Sequence, residues 1–203
     1  MARTIGSNGV ETRQRVLTQA RNLIAHHGFA AISMRQIAKA CGLQVGALYN
    51  YFPTKQAILH RVMTEHLTSL LQALEEAKLP SQPEAALEAF TRFHIRYHID
   101  KPEEVFIAYM ELRNLEPEPY REVMQLRQKY ERELRRILRE GNFNIDDVSI
   151  TAMAMIAMMT GVNTWYRYGG RLSAEEVEEI YVNLVRSLAG LSHAKVPQLE
   201  ELA

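Results

Sequence analysis

The chain has 203 residues, 47% of them hydrophobic, with 24 basic and 24 acidic side chains and a formal net charge of zero. That much apolar material excludes a disordered chain and supplies a core for one large domain, or for a small one joined to a larger. A single cysteine, Cys41, excludes an intrachain disulfide and a four-cysteine zinc site; with no leader-like N-terminus and no uninterrupted run of 18 apolar residues, the expectation is a soluble cytoplasmic protein with no membrane span.

The zero balance hides an asymmetry. Residues 1–55 carry seven basic side chains (Arg3, Arg13, Arg15, Arg21, Arg35, Lys39, Lys55) against Glu11 alone, a net of +6, and the remainder is therefore −6. A basic end on an acidic body is the electrostatic footprint of a nucleic-acid module joined to a body with another task.

Residues 1–10 are polar and read as a loose arm, from which Arg3 could reach a groove or a phosphate. Residues 11–27 form a helix with Val16, Ala20, Leu23, Ile24 and His27 on one face, closed by Gly28. Phe29 and Ile32 plug the space after it. Ser33 then caps a two-turn helix whose stripe is Met34, Ile37, Ala38 and Cys41. Gly42 suits the left-handed residue that ends it. A second short helix, 44–51, turns Val45, Leu48 and Phe52 inward and Gln44, Gly46, Ala47, Tyr49, Asn50 and Tyr51 outward. Helix, tight turn, helix is the arrangement whose second helix lies in the major groove of DNA.

Pro53 and Thr54 break the chain, and a helix runs from Lys55 to about residue 78, long enough at about 1.5 Å per residue to act as a rigid link. Pro80-Ser81-Gln82-Pro83 ends it. Further helices are expected over 84–99, 103–114 and, after Glu116-Pro117-Glu118-Pro119, over 120–140; the Arg- and Glu-rich side of the last is a solvated face laced with i,i+4 pairs. Residues 146–168 differ: the segment AMAMIAMM, 152–159, is apolar all round and must be covered all round, by the core on one side and a partner subunit on the other. Ser173 and Glu176 form a capping box for a final helix with Val177, Ile180, Tyr181, Leu184, Val185, Leu188 and Leu191 on its stripe, and the tail after Ser192 reads as loose. The expected fold is all-α, about nine helices: a three-helix head over 1–53 and a helical body over 54–203.

The stretches GFAAISMRQIA and GLQVGALYNYFPTK resemble the signature of the tetracycline-repressor (TetR) family of bacterial transcription regulators, over about residues 11–60. Gln44 stands where the family usually has Ser or Thr, and Ala47 where it often has Thr or Ser. The resemblance implies a homodimeric regulator, most simply a repressor, that binds a near-palindromic double-stranded DNA operator and leaves it when a small molecule enters the body. Candidate DNA-contacting residues are Ser33, Arg35, Gln44, Val45, Gly46, Ala47, Tyr49, Asn50, Tyr51 and Lys55: Gln44, Tyr49 and Asn50 for base edges, and Ser33, Tyr49, Tyr51 and Lys55 for phosphates, with Lys55 matching the family's phosphate-contacting lysine.

In the body, Phe93, His94, Tyr97, Phe106, Tyr109, Met110, Arg113, Met155, Met159, Asn163, Trp165 and Tyr166 combine apolar bulk with polar tips, as ligand pockets do. MELRNL, REGNF and TWYRYGGRLSAEEVEEIY look similar to repressors of fatty-acid and steroid breakdown that sense acyl-CoA thioesters. An adaptable, methionine-rich wall suits an acyl chain, and Arg113, Arg167 or Arg171 could meet its phosphates. Two other readings exist. His94 and His98, at i,i+4, could face a metal, but no third ligand accompanies them and no nucleophile elbow or phosphate-binding glycine loop is present, so neither an enzyme nor a cofactor is expected. A helical interaction module, or a small-molecule-binding protein that does not bind DNA, is the alternative; DNA binding that weakens steeply with salt separates it from the first reading.

Overall fold

A computed structural model describes residues 7–191, and Arg3, most of the N-terminal arm and the tail after Ser192 lie outside the described residues. Ten α-helices and one 3-10 turn make up the described chain, with no strand: α1 (Ser7–His27), α2 (Met34–Ala40), α3 (Val45–Tyr49), α4 (Lys55–Glu76), α5 (Pro83–Asp100), α6 (Pro102–Met110), the 3-10 turn Leu112–Asn114, α7 (Pro117–Glu140), α8 (Val148–Thr160), α9 (Val162–Trp165) and α10 (Ala174–Leu188).

The all-α expectation holds, and the departures from it have local causes. Helix α7 starts three residues earlier than Tyr120, because Pro117 and Pro119 fall in its first turn, where the missing N–H is no loss and the fixed φ is already helical. The expected single helix over 146–168 is two. The N–H of Gly161 closes α8 on the Ala157 carbonyl, and its own carbonyl accepts from Thr164 through both backbone and hydroxyl, so α9 starts as a fresh, tighter turn. By length and composition alone Val148–Trp165 passes for a membrane span, at a mean hydropathy of 1.3 and with 28% of it buried.

The chain packs as two compact units. The first joins α1, α2, α3 and α4 as far as Ser69 with α6, the 3-10 turn and the start of α7. Its core is Val16, Leu17, Ala20 and Ile24 of α1, Ile37 and Ala38 of α2, Leu48, Phe52, Ile58, Leu59 and Met63, with Val105, Ile107 and Ala108 of α6. His27, expected on the inner face of α1, is exposed. The second unit takes the end of α4 from Leu70, α5, α7 from Gln128, and α8 to α10. Its core centres on Leu87, Phe90, His94 and Ile95 of α5, Leu134 and Ile137 of α7, Met155 and Met159 of α8, and Val177 and Val185 of α10.

Candidate nucleic-acid interface and ligand-site residues

In the first unit the reading elements are short and therefore depend on their caps. Ser33 and Gln36 form a reciprocal capping box at the start of α2: the Gln36 N–H donates to Ser33 Oγ at 3.3 Å and the Ser33 N–H to Gln36 Oε1 at 2.8 Å. The Ser33 hydroxyl itself donates to Gln36 Oε1 at 2.8 Å, so this phosphate candidate is occupied within the cap. Gly42 takes φ +65° and sends the chain from α2 into α3, where an L side chain would be strained. Gln44 occupies the N-cap of α3 without using its side chain there, which leaves that side chain exposed and unspent.

The face of α3 divides as its sequence predicts. Leu48 and Phe52 are buried and Val45 is half-buried, whereas Gln44, Gly46, Asn50 and Tyr49, the last 49% exposed, face solvent. Ala47 and Tyr51 are half-buried. Arg13, Arg15, Arg35 and Lys39 are exposed on the same unit. Cys41 is buried behind the turn, and burial pushes its thiol up in pKa.

Lys55 is the exception. Its ammonium does not stand out from the surface. Nζ donates to the Phe29 and Ile32 carbonyls at 2.8 Å each and lies 4.3 Å over the Phe29 ring. At the backbone of the same residue, the Phe29 N–H donates to the buried Glu111 carboxylate at 3.1 Å. Asn114 Nδ2 donates to the second Glu111 oxygen at 2.5 Å, and Gln56 Nε2 to the Asn114 carbonyl at 2.6 Å. The loop between α1 and α2 is thus clasped between a cation from α4 and an anion from the end of α6. Sequence reasoning misses this clasp because its members are 26 and 82 residues from Phe29.

The body residues proposed for a ligand are divided between the two units. Phe106, Tyr109, Met110 and Arg113 belong to the first unit, where Tyr109 lies 4.0 Å beneath the Arg127 guanidinium and Met110 and Arg113 are exposed. The other eight fall in the second unit. Phe93 and Tyr97 line a surface cleft of about 340 Å³ with Arg92, Arg96, Asp100 and Glu178. The arginines there are matched by carboxylates: Arg96 meets Glu178 at 2.5 Å and Glu175 at 2.9 Å, and Arg92 meets Glu179 at 2.6 Å. Trp165, half-exposed, stacks on Tyr181 with centroids 6.5 Å apart; Asn163 and Tyr166 are half-buried beside it in sequence.

His94, Met155 and Met159 sit at the centre of the unit with no exposed surface. The two ring nitrogens of His94 lie 3.0 Å from the Tyr130 hydroxyl and 3.2 Å from the Thr160 hydroxyl. His98 stacks on the His94 ring, centroids 3.8 Å apart and planes within 6°. Burial holds both rings neutral: it takes His94 well below its ordinary pKa and lowers His98 to about 4. With both His94 nitrogens engaged by hydroxyls, the i,i+4 pair is a polar column in the core and not a pair of metal ligands. Tyr130 and Thr160 are the partners that sequence reasoning misses, being 36 and 66 residues from His94.

Comparison with known proteins places this geometry. Residues 16–62 match the family model described as bacterial regulatory proteins, tetR family, and residues 80–189 match that of the tetracyclin repressor-like C-terminal domain. The chain is 28% identical to the HTH-type transcriptional repressor KstR2 of Mycolicibacterium smegmatis, over 96% of its own length and 98% of that protein. The solved structure of the TetR family transcriptional regulator PfmR from Thermus thermophilus is similar at 32% identity and a TM-score of 0.75, over 84% of this chain and 96% of that one. That of AibR in complex with isovaleryl coenzyme A and operator DNA shares the fold at 21% identity and a TM-score of 0.79, over 86% and 97% of the two chains.

Proposed function

Because the chain belongs to the TetR family of bacterial regulatory proteins, we propose that it is a homodimeric transcriptional repressor that binds a near-palindromic operator and is released from it by a small hydrophobic effector, an acyl-CoA thioester. The observation that carries the DNA half of this reading is the outward face of α3. The cap at Ser33, the turn at Gly42 and the buried Leu48 and Phe52 together hold a five-residue helix whose exposed side offers Gln44, Tyr49 and Asn50 on a basic surface. Gln44 is suited to an adenine edge, Tyr49 and Asn50 to base edges or phosphates, and Arg35 to a phosphate. The functional boundary we propose is the one at residue 53, with residues 54–203 serving effector binding and pairing.

The dimer is supported by an apolar surface on two helices of the second unit. Ile150 and Met153 on α8 and Ile180, Leu184 and Leu188 on α10 are all exposed, at i,i+3 and i,i+4 spacings that make a stripe on each helix. The effector class is supported by the KstR2 and AibR likenesses and by the buried methionines of α8. An effector acts by fitting one packing of the body better than the other, and it moves the equilibrium only by that difference in affinity. Two arms of one mobility-shift experiment test the reading. Tyr49→Ala, folded and dimeric, loses operator binding; retained binding contradicts the docking of α3. Among acyl-CoA thioesters of graded length, at least one releases the wild-type protein; a panel without effect removes that effector class.

A further inference from the structure

His94 and His98 are alike in type, burial and setting, and differ in one respect. His94 has a partner for each nitrogen. His98 has one: Nδ1 lies 2.8 Å from the His94 backbone carbonyl, and since a carbonyl only accepts, Nδ1 carries the proton. The tautomer is then settled by the helix itself. Nε2 of a neutral ring so protonated is a bare lone pair, and among the described residues no donor reaches it, although His98 has no exposed surface. A buried acceptor without a donor is costly, and in a core whose neighbouring histidine is satisfied on both sides it marks a place where something else completes the bond. The helix that carries it packs on α8 and α9, the methionine-rich segment.

We propose that His98 Nε2 is the anchoring acceptor for the effector of the second unit, and that this effector presents to it a hydroxyl group carried on its acyl portion. This rests on the acyl-CoA reading and narrows it. A phosphate or carboxylate has no proton to offer and would face the lone pair; an ammonium would be buried without a counter-charge. The group that fits is a neutral donor. The pantetheine amides common to every acyl-CoA sit on a polar arm, whereas a hydroxyl on the acyl chain or ring is carried on apolar material that suits this core, and the coenzyme's phosphates lie elsewhere.

The test compares matched thioesters, octanoyl-CoA and 3-hydroxyoctanoyl-CoA together with a ring-hydroxylated pair, in fluorescence-anisotropy release of operator from the full-length dimer. At least one hydroxylated member is expected to act at about tenfold lower concentration than its plain partner, the worth of one buried hydrogen bond. In His98→Phe the two members of that pair act alike, and in His98→Gln, which still offers an acceptor, part of the preference returns. Plain thioesters that release DNA as well as every hydroxylated one, or a preference that survives His98→Phe, overturn the inference while leaving the acyl-CoA reading intact. If no thioester of either kind releases DNA, that reading fails, and the inference is decided by the ring nitrogens. Histidine ¹⁵N spectra of the wild-type protein are expected to show a protonated Nδ1 and a bare Nε2 for His98, with the Nε2 signal displaced on adding 1-hexanol as a simple donor. A protonated Nε2, or a signal that hexanol does not move, overturns it.

Discussion

Lys55 is recognisable by its position, and its side chain is engaged within its own unit. Its ammonium spends two hydrogen bonds on the Phe29 and Ile32 carbonyls and rests on the Phe29 ring, so the charge holds the α1–α2 loop. The consequence is separable by salt. A phosphate contact, when removed, lowers the slope of log affinity against log salt by about 1. The clasp predicts instead that Lys55→Ala costs roughly 1–3 kcal/mol of stability, from lost charge-assisted bonds, and leaves that slope unchanged. Denaturant midpoints together with operator titrations at several salt concentrations measure both. A slope reduced by one with stability intact returns Lys55 to the phosphates.

The histidine column carries its own prediction, in which the sign matters. Burial lowers the pKa of His94 and His98 below the ordinary value, with His98 at about 4. The unfolded chain therefore binds protons on these rings between about pH 6.5 and 4, where the folded chain does not. Folding stability is fully present above about pH 6.5 and falls as pH drops through that window, by about 3 kcal/mol for His98 at its full extent. The lowered carboxylates Glu175, Glu176 and Glu179 act in the same direction but only near and below their ordinary pKa, so they do not mask the upper part of the window. Urea midpoints at pH 7.5 and 5.5 should differ accordingly; equal midpoints contradict the neutral, buried pair.

Among the elements, α8 and α10 show what periodicity alone can and cannot tell. The apolar run of α8 announces that both sides need cover, and the structure supplies cover for Ala152, Met155 and Met159 while leaving Ile150 and Met153 exposed. The final helix is a clean stripe by sequence, yet the structure divides it: Val177, Tyr181 and Val185 go inward, and Ile180, Leu184 and Leu188 stay at the surface. If pairing covers these rows, Ile150→Glu with Leu184→Glu yields a folded monomer by light scattering and a protein that no longer holds a two-half-site operator. A double variant that stays dimeric places the pairing surface elsewhere. The division of residues 146–168 at Gly161 is not legible from composition, because glycine in an apolar run signals close packing as readily as a break, and only the carbonyl's engagement with Thr164 decides between them.

For the molecule as a whole, what the sequence makes legible follows the range of the interaction. Helix positions, caps and the two faces of α3 are set by neighbours three or four residues away, and the spacing of Ile37, Ala38, Leu48 and Phe52 reveals them. The clasp at Phe29 and the column at His94 join residues far apart in the chain, and no pattern in one sequence announces them. The ligand-site residues suffer most: the same aromatic and methionine composition serves core, cleft and surface, so Phe93, Met159 and Met110 look alike in sequence and end in three different environments. The charge split between the basic residues 1–55 and the acidic remainder, by contrast, is a property of the whole that survives any local rearrangement, and it favours DNA as the partner of the N-terminal segment.

The account stands on α3 reading the major groove in two symmetric copies. Methylation interference on an operator selected from random duplexes tests it most directly, because N7 of guanine lies in the major groove and N3 of adenine in the minor. The prediction is interference at guanines in both arms of a near-palindrome, spaced by about one helical turn or a multiple. Interference confined to adenines, or to one unpaired half-site, would contradict it.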